Sequence, residues 1–232
     1  MITIRRSAER GASNIGWLDT RYTFSFNRYY DPAHMGFRSL RVINDDRIRG
    51  GTGFGRHPHR DMEIITWVLS GELAHEDSTG SKAVLKPGHV QRMSAGTGIY
   101  HSEFNASATE PVHLLQIWIE PNQTGIEPRF EDLAITPEEV QGKLRLIASP
   151  DGRGQSPIIQ QDALVYVTNL DPGQSVSLDI GTNHHAWVQV ATGQAELNGQ
   201  ILETGDGAAI SEVTSLTLRG IEKSDILLFE LA

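Results

Sequence analysis

The chain has 232 residues, no cysteine, and 20 basic against 29 acidic side chains, a formal net charge of −9 at pH 7. That balance argues against direct binding to nucleic acid or to an anionic membrane, because both repel an acidic surface. Without thiols there are no disulfides, thiolate nucleophiles or cysteine-ligated metal sites, so a tightly held metal must rely on His, Asp and Glu.

Near the start, Arg5 and Arg6 are followed by SAERGASN, which lacks the apolar region of an export signal. No run approaches the ~18 apolar residues of a membrane span, and a cytoplasmic location is expected. Residues 22–26 (YTFSF) alternate aromatic with small polar side chains, the pattern of a half-buried strand. Leu40-Arg41-Val42 also alternates and runs into Asn44-Asp45-Asp46, read as a turn. Residues 63–69 (EIITWVL) are β-branched and aromatic and stop at Ser70-Gly71. Further strands are expected at 113–119, 144–147, 164–167, 187–190 and 226–231, with Asn198-Gly199 as a hairpin turn. One helical turn is expected at 137–141, with Thr136 as N-cap and Pro137 at the first helical position.

Many short strands with glycine-containing turns indicate an all-β protein built of antiparallel sheets. Residues 120–142 are polar and turn-rich, and the halves on either side share a faint rhythm: WVLSG ends at Gly71 and VQVATG at Gly193. This predicts two related β-barrels in tandem, an N-terminal domain at 1–130 carrying the site and a C-terminal domain at 131–232.

The candidate site opens with HPHRDME, residues 57–63. Alternate residues of a strand share a face, so His57, His59, Asp61 and Glu63 point one way if the strand is regular. His101 and Glu103 share a face by the same rule. Brought together, three imidazoles and a carboxylate form a donor set for Fe, Mn, Co, Ni, Cu or Zn. Pro58 faces away and requires an edge or a bulge there. Asp61 reads as an outer hydrogen-bond partner or a solvated group. Glu63 reads as the acceptor of a histidine N–H in preference to a fifth ligand. His75, beside Glu76 and Asp77, reads as structural or exposed, and His34, His89 and His113 show no partner pattern. Tyr22, Phe24 and Phe26 read as core, with a pocket wall as the alternative.

These residues resemble the cupin superfamily: Gly51, His57, His59 and Glu63 are spaced G-x5-H-x-H-x3-E, and Gly98, His101 and Asn105 are spaced G-x2-H-x3-N. Within it the chain is similar to the pirin family, through GWLD from Gly16, TFSF from Thr23, YYDP from Tyr29, MGF from Met35 and LRVINDD from Leu40. FGRHPHRDME from Phe54, MSAGTG from Met93 and HSEFN from His101 complete that set. The resemblance is dense over residues 5–120 and thin beyond, where KLRLIASPDG from Lys143 is the clearest match. It implies a bicupin with one divalent transition metal per chain, most often Fe(II), held by His57, His59, His101 and Glu103. Zn, Mn, Co, Ni or Cu are the alternatives.

For some members the resemblance implies quercetin 2,3-dioxygenase activity, in which a flavonol-like aromatic reacts with O2, its heterocycle opens and carbon monoxide leaves. Glu103, or else Glu63, then takes the flavonol proton. The alternative is a non-catalytic regulatory protein that binds a protein partner according to metal occupancy or redox state. Two residues depart from the pattern: Tyr22 stands where many relatives have His, and Trp67 where many have Tyr. A gapless comparison anchored on Gly71 and Gly193, and on Gly88 and Gly205, sets Asp179 and Gly181 opposite His57 and His59. The same comparison sets Leu218 and Gly220 opposite His101 and Glu103. The second barrel is therefore expected to lack ligands, with His184 and His185 as bystanders. A monomer is expected.

Overall fold

In the computed structural model, which describes residues 1–232, nearly all the regular secondary structure is antiparallel strand. The one α-helix is the turn Pro137–Val140, capped as its sequence predicts, with the Thr136 N–H donating to Glu139 Oε2 at 2.9 Å. No helix is long and apolar enough to cross a membrane.

Two compact units form. One comprises Gly11–Ile135 with Ile159–Gln161; the other comprises Met1–Arg10, Thr136–Ile158 and Asp162–Ala232. The first ten residues thus group with the C-terminal half of the chain. Strand Ile2–Arg5 pairs antiparallel with Gly207–Ile210, a partner that its own four-residue pattern does not specify.

The first unit is a nine-stranded sheet. Its centre runs Leu40–Ile48, Val112–Ile119, Gly53–Ser70, His89–Asn105 and Leu73–Asp77. Gly53–Ser70 and His89–Asn105 are long enough to curl through both layers of a jelly roll. Their ladder slips in register between Phe54 and His57 and again between His59 and Asp61, and such bulges bend and re-aim a strand. Leu18, Ile48, Val68, Leu73, Leu85, Val112 and Leu114 pack into a buried cluster at one end. Burying each side chain contributes roughly 1.5–3 kcal/mol.

Two local expectations fail here. The strand at 22–26 stops at Tyr22: the element is Leu18–Tyr22, and Asn27 at φ 53° turns the chain, with Phe26 and Tyr29 exchanging backbone hydrogen bonds at 3.0 Å. Asn44-Asp45-Asp46 is no turn but the middle of strand Leu40–Ile48, with all three residues buried. Asp45 is matched locally: Arg47 Nη1 donates to its Oδ1 at 3.1 Å, and His113 Nε2 lies 2.8 Å from the same oxygen.

The second unit holds a six-stranded sheet in the order Ile2–Arg5, Gly207–Ile210, His185–Thr192, Ser224–Leu231, Ala163–Leu170, Arg145–Ala148. A four-stranded sheet runs Ser175–Asp179, Ser215–Gly220, Gln194–Leu197, Gln200–Glu203. The connectivity repeats that of the first unit, with each of the two long strands replaced by a pair. Both units are thus jelly rolls of the expected all-β bicupin type, with open sheets and not closed barrels.

Candidate metal centre

His57 and His101 are direct cross-strand partners, and His59 sits two pairs further on, opposite Ile99. The three rings therefore stand side by side, with centroids 4.4 Å (His57–His101), 4.7 Å (His59–His101) and 4.9 Å (His57–His59) apart. Their donor nitrogens all lie within 4.8 Å of one another. His57 Nδ1 lies 2.8 Å from the Gly55 carbonyl oxygen, which fixes the proton on Nδ1 and leaves Nε2 as a lone pair.

His101 is oriented by a longer chain. Its Nδ1 faces His75 Nδ1 at 3.5 Å, and His75 Nε2 reaches Asp77 Oδ2 at 3.3 Å. Asp77 Oδ1 accepts from the Thr79 and Ser81 backbone N–H groups, which hold the side chain as a carboxylate. A consistent set of tautomers follows: His75 donates from Nε2 to Asp77 and accepts at Nδ1 from His101. His101 Nε2 is then a lone pair too, 3.0 Å from His57 Nε2. His101 does not take up a proton to relieve that contact. Burial, reinforced by the neighbouring imidazoles, depresses His101 to about 2, and burial with His57 depresses His59 to about 4. Neutral imidazoles with converging lone pairs are the donor set of a divalent metal, so these residues fit one.

Glu103 lies two residues beyond His101 on the same strand. Its Oε2 accepts from Gln116 Nε2 at 3.0 Å, while its Oε1 is buried without a partner. Burial, with a contribution from Asp46, raises its carboxyl to about 7. Glu103 groups with His75 and His101 within 4.8 Å, so His101 is common to the two clusters. His75 is the residue that sequence reasoning missed. It is buried and stacks on Phe130 at 4.8 Å, and the H-x-D alternation of His75 and Asp77 was its available signal.

Glu63 is not brought to the cluster. Past the slip at Asp61, where φ is 62°, the even-numbered positions face the histidines: Ile64 pairs with Trp118, whose ring meets that of His59 at 4.9 Å. Likewise Thr66 donates to Gln116, the partner of Glu103. Glu63 therefore lies on the other face, accepting from Ser94 Oγ at 2.7 Å near the buried Arg92. The expectation that it accepts a histidine N–H, or serves as a base, is corrected by this change of parity. Asp61 accepts the Gly125 N–H at 2.8 Å and is likewise remote in role. His34, His89 and His113 each pair with a carboxylate: Asp31, Asp132 and Asp45.

In the second unit Leu218 pairs with Leu197 as Glu103 pairs with His75, and Leu178 pairs with Leu216 as His57 pairs with His101. The positions matching the site are thus Leu178, Ile180, Leu216 and Leu218, all packed in one apolar cluster. The gapless alignment was offset by one residue on one strand and two on the other. His184 is held by Glu230 and Asp162, and His185 by Ser211.

Two tandem jelly rolls with an imidazole cluster on the facing strands of the first define a bicupin with a metal-type centre. The Pirin family model matches residues 3–119, and the quercetinase C-terminal cupin domain model matches residues 146–231. The sequence is 47% identical over 231 residues to quercetin 2,3-dioxygenase of Escherichia coli (strain K12), covering 100% of this chain and 99% of that one. The crystal structure of YhhW from Escherichia coli superposes with a TM-score of 0.96 at 45% identity, over 100% of this chain and 98% of that one. The bacterial pirin YhhW in complex with nickel(II) gives 0.94 at 46% identity, over 100% and 99%. The chain belongs to the pirin family.

Proposed function

We propose that this protein is a metal-dependent dioxygenase that opens the heterocycle of quercetin-like flavonols with O2 and releases carbon monoxide. His57, His59, His101 and Glu103 would hold its one divalent metal, with iron(II) the choice for O2 chemistry at nitrogen and carboxylate donors. The observation that carries the reading is the convergence of three imidazoles beside a carboxylate with one unpartnered buried oxygen. The names and nickel complex of the relatives support it.

When bound, the metal supplies Lewis acidity toward a substrate hydroxyl and an electron route to O2. The chain supplies the rest. Thr66 Oγ1 donates to Gln116 Oε1 at 2.9 Å, and Gln116 in turn anchors Glu103 Oε2, so Oε1 is the oxygen left for the metal and, once loosened from it, for the hydroxyl proton. Ile64, Met93, Ile99 and Trp118 form an apolar wall that excludes water on the His59 side. His57 and His59 are only half-buried, so their donor edges are reachable. That access favours a catalyst over a sealed regulatory site.

The test is aerobic loss of the quercetin absorption band in protein of known metal content. Glu103→Gln lowers turnover per bound metal by about 10²–10⁴-fold, the usual worth of a positioned acid–base group, whereas Glu63→Gln leaves it unchanged. Undiminished turnover in Glu103→Gln contradicts the assignment.

A further inference from the structure

A cavity of about 310 Å³ lies beside Trp118, walled by Phe26, Tyr30, Met35 and Met62, with Arg41 as the one charged residue of its lining. Trp118 joins it to the centre. The indole meets Phe26 edge-on at 5.4 Å and His59 edge-on at 4.9 Å, so one ring separates the cleft from the histidines. The segment that shapes it is fastened before any ligand arrives. Ser25 Oγ bonds both the N–H and the carbonyl of Asp31, Ser25 N donates to His34 O at 2.7 Å, and Asp31 Oδ1 accepts the Ala33 N–H. A prefastened wall reduces the ordering cost of binding.

Two features of the lining select a ligand. Tyr30 and Met35 are 73% and 41% exposed, an aromatic and a thioether surface left in water at the cleft mouth. Arg41 spends one donor, Nη1, on the Ser25 carbonyl at 2.9 Å, and its other guanidinium N–H groups have no partner. No carboxylate lines the cleft. Aromatic walls around one free cationic fork complement a flat, electron-rich ring that carries acidic oxygens.

We propose that this cleft is the seat of the phenol-bearing ring of a planar aromatic substrate, with Arg41 donating to its acidic hydroxyl or phenolate oxygens. Such a seat binds the ligand whether or not metal is present. It deepens the dioxygenase reading and rests on it for the choice of flavonol, because the cleft would hold the ring remote from the reacting heterocycle. Specificity among flavonols is then set by Arg41 and not by the histidines.

The experiment is anaerobic calorimetric titration of the full-length protein, metal-loaded and metal-stripped, with quercetin and with 3-hydroxyflavone, which lacks the other ring hydroxyls. Arg41→Met is expected to weaken quercetin about tenfold or more, the worth of a hydrogen bond to a charged group, while leaving 3-hydroxyflavone nearly unchanged. Tyr30→Ala, at an exposed position that does not threaten folding, is expected to weaken both ligands severalfold. The stripped protein is expected to retain Arg41-sensitive quercetin binding. The inference is overturned if Arg41→Met leaves quercetin affinity intact, if it weakens both ligands equally, or if the stripped protein binds neither. Because O2 is absent, binding is separated from turnover. Arg41-sensitive binding without later oxygen consumption keeps this inference and removes the dioxygenase reading; turnover with Arg41-indifferent binding does the reverse.

Discussion

His101 Nε2 and His57 Nε2 face each other across 3.0 Å, each a lone pair because its ring proton is committed elsewhere. Two ring nitrogens converging at that distance are a ready seat for a cation, so metal binding is expected to stabilise the fold. At a free metal concentration a hundred times Kd, the gain is about 2.7 kcal/mol. Thermal unfolding with and without nickel(II) measures it; His57→Ala should abolish the increment, and an unchanged increment in that variant would remove His57 from the centre.

His75 and Asp77 act on the metal through His101. Asp77→Asn, or His75→Ala, leaves the donor atoms in place but releases the His101 ring from its tautomer. The expected loss in metal affinity is about 10–100-fold, the usual cost of removing an outer hydrogen-bond partner. Competition with a chelator of known affinity reads it directly, and His75→Gln should recover part of the loss. Wild-type affinity in both variants would reduce the chain to packing.

Asp46 makes the metal-free protein sensitive to pH. Burial raises its folded pKa to about 7 from an ordinary value of 3.8. The folded state therefore holds a proton that the unfolded chain releases. The associated stability is complete below the unfolded value and lost as pH rises through the folded one, on the order of 4 kcal/mol at most. Asp46→Asn should raise the urea midpoint at pH 8 and converge with wild type towards pH 4. A variant no more stable than wild type at pH 8 contradicts the assignment.

One metal per chain follows from the second unit, where Leu178, Ile180, Leu216 and Leu218 occupy the matching positions. Metal analysis of purified protein should give a stoichiometry near one, and a value near two overturns this. Those leucines are core instead: Leu218→Ala should cost about 2–5 kcal/mol without changing metal content.

Much of this site is written in local sequence. The H-x-H and H-x-E pairs survive folding because period-two alternation holds over the few residues from His57 to His59 and from His101 to Glu103. The same rule fails at Glu63, since one irregular residue at Asp61 reverses the face of everything beyond it, and no residue type announces that reversal. Asn44-Asp45-Asp46 misleads for a different reason: propensity marks a turn, but Arg47 and His113 satisfy the Asp45 carboxylate, burial holds Asp46 protonated to higher pH, and the strand continues. The partner of Ile2–Arg5 and the closeness of His75 to His101 depend on pairings between segments far apart in the chain. Period and propensity carry no information about such distances.

If the cluster in the first unit turns over flavonols with oxygen, oxygen uptake and carbon monoxide release recorded together during quercetin loss will show it, in iron-loaded protein, stripped protein and His59→Ala. Equal amounts of quercetin lost, oxygen consumed and carbon monoxide formed are expected, only in the loaded wild type. Stoichiometric bound metal with neither gas exchanged would contradict it.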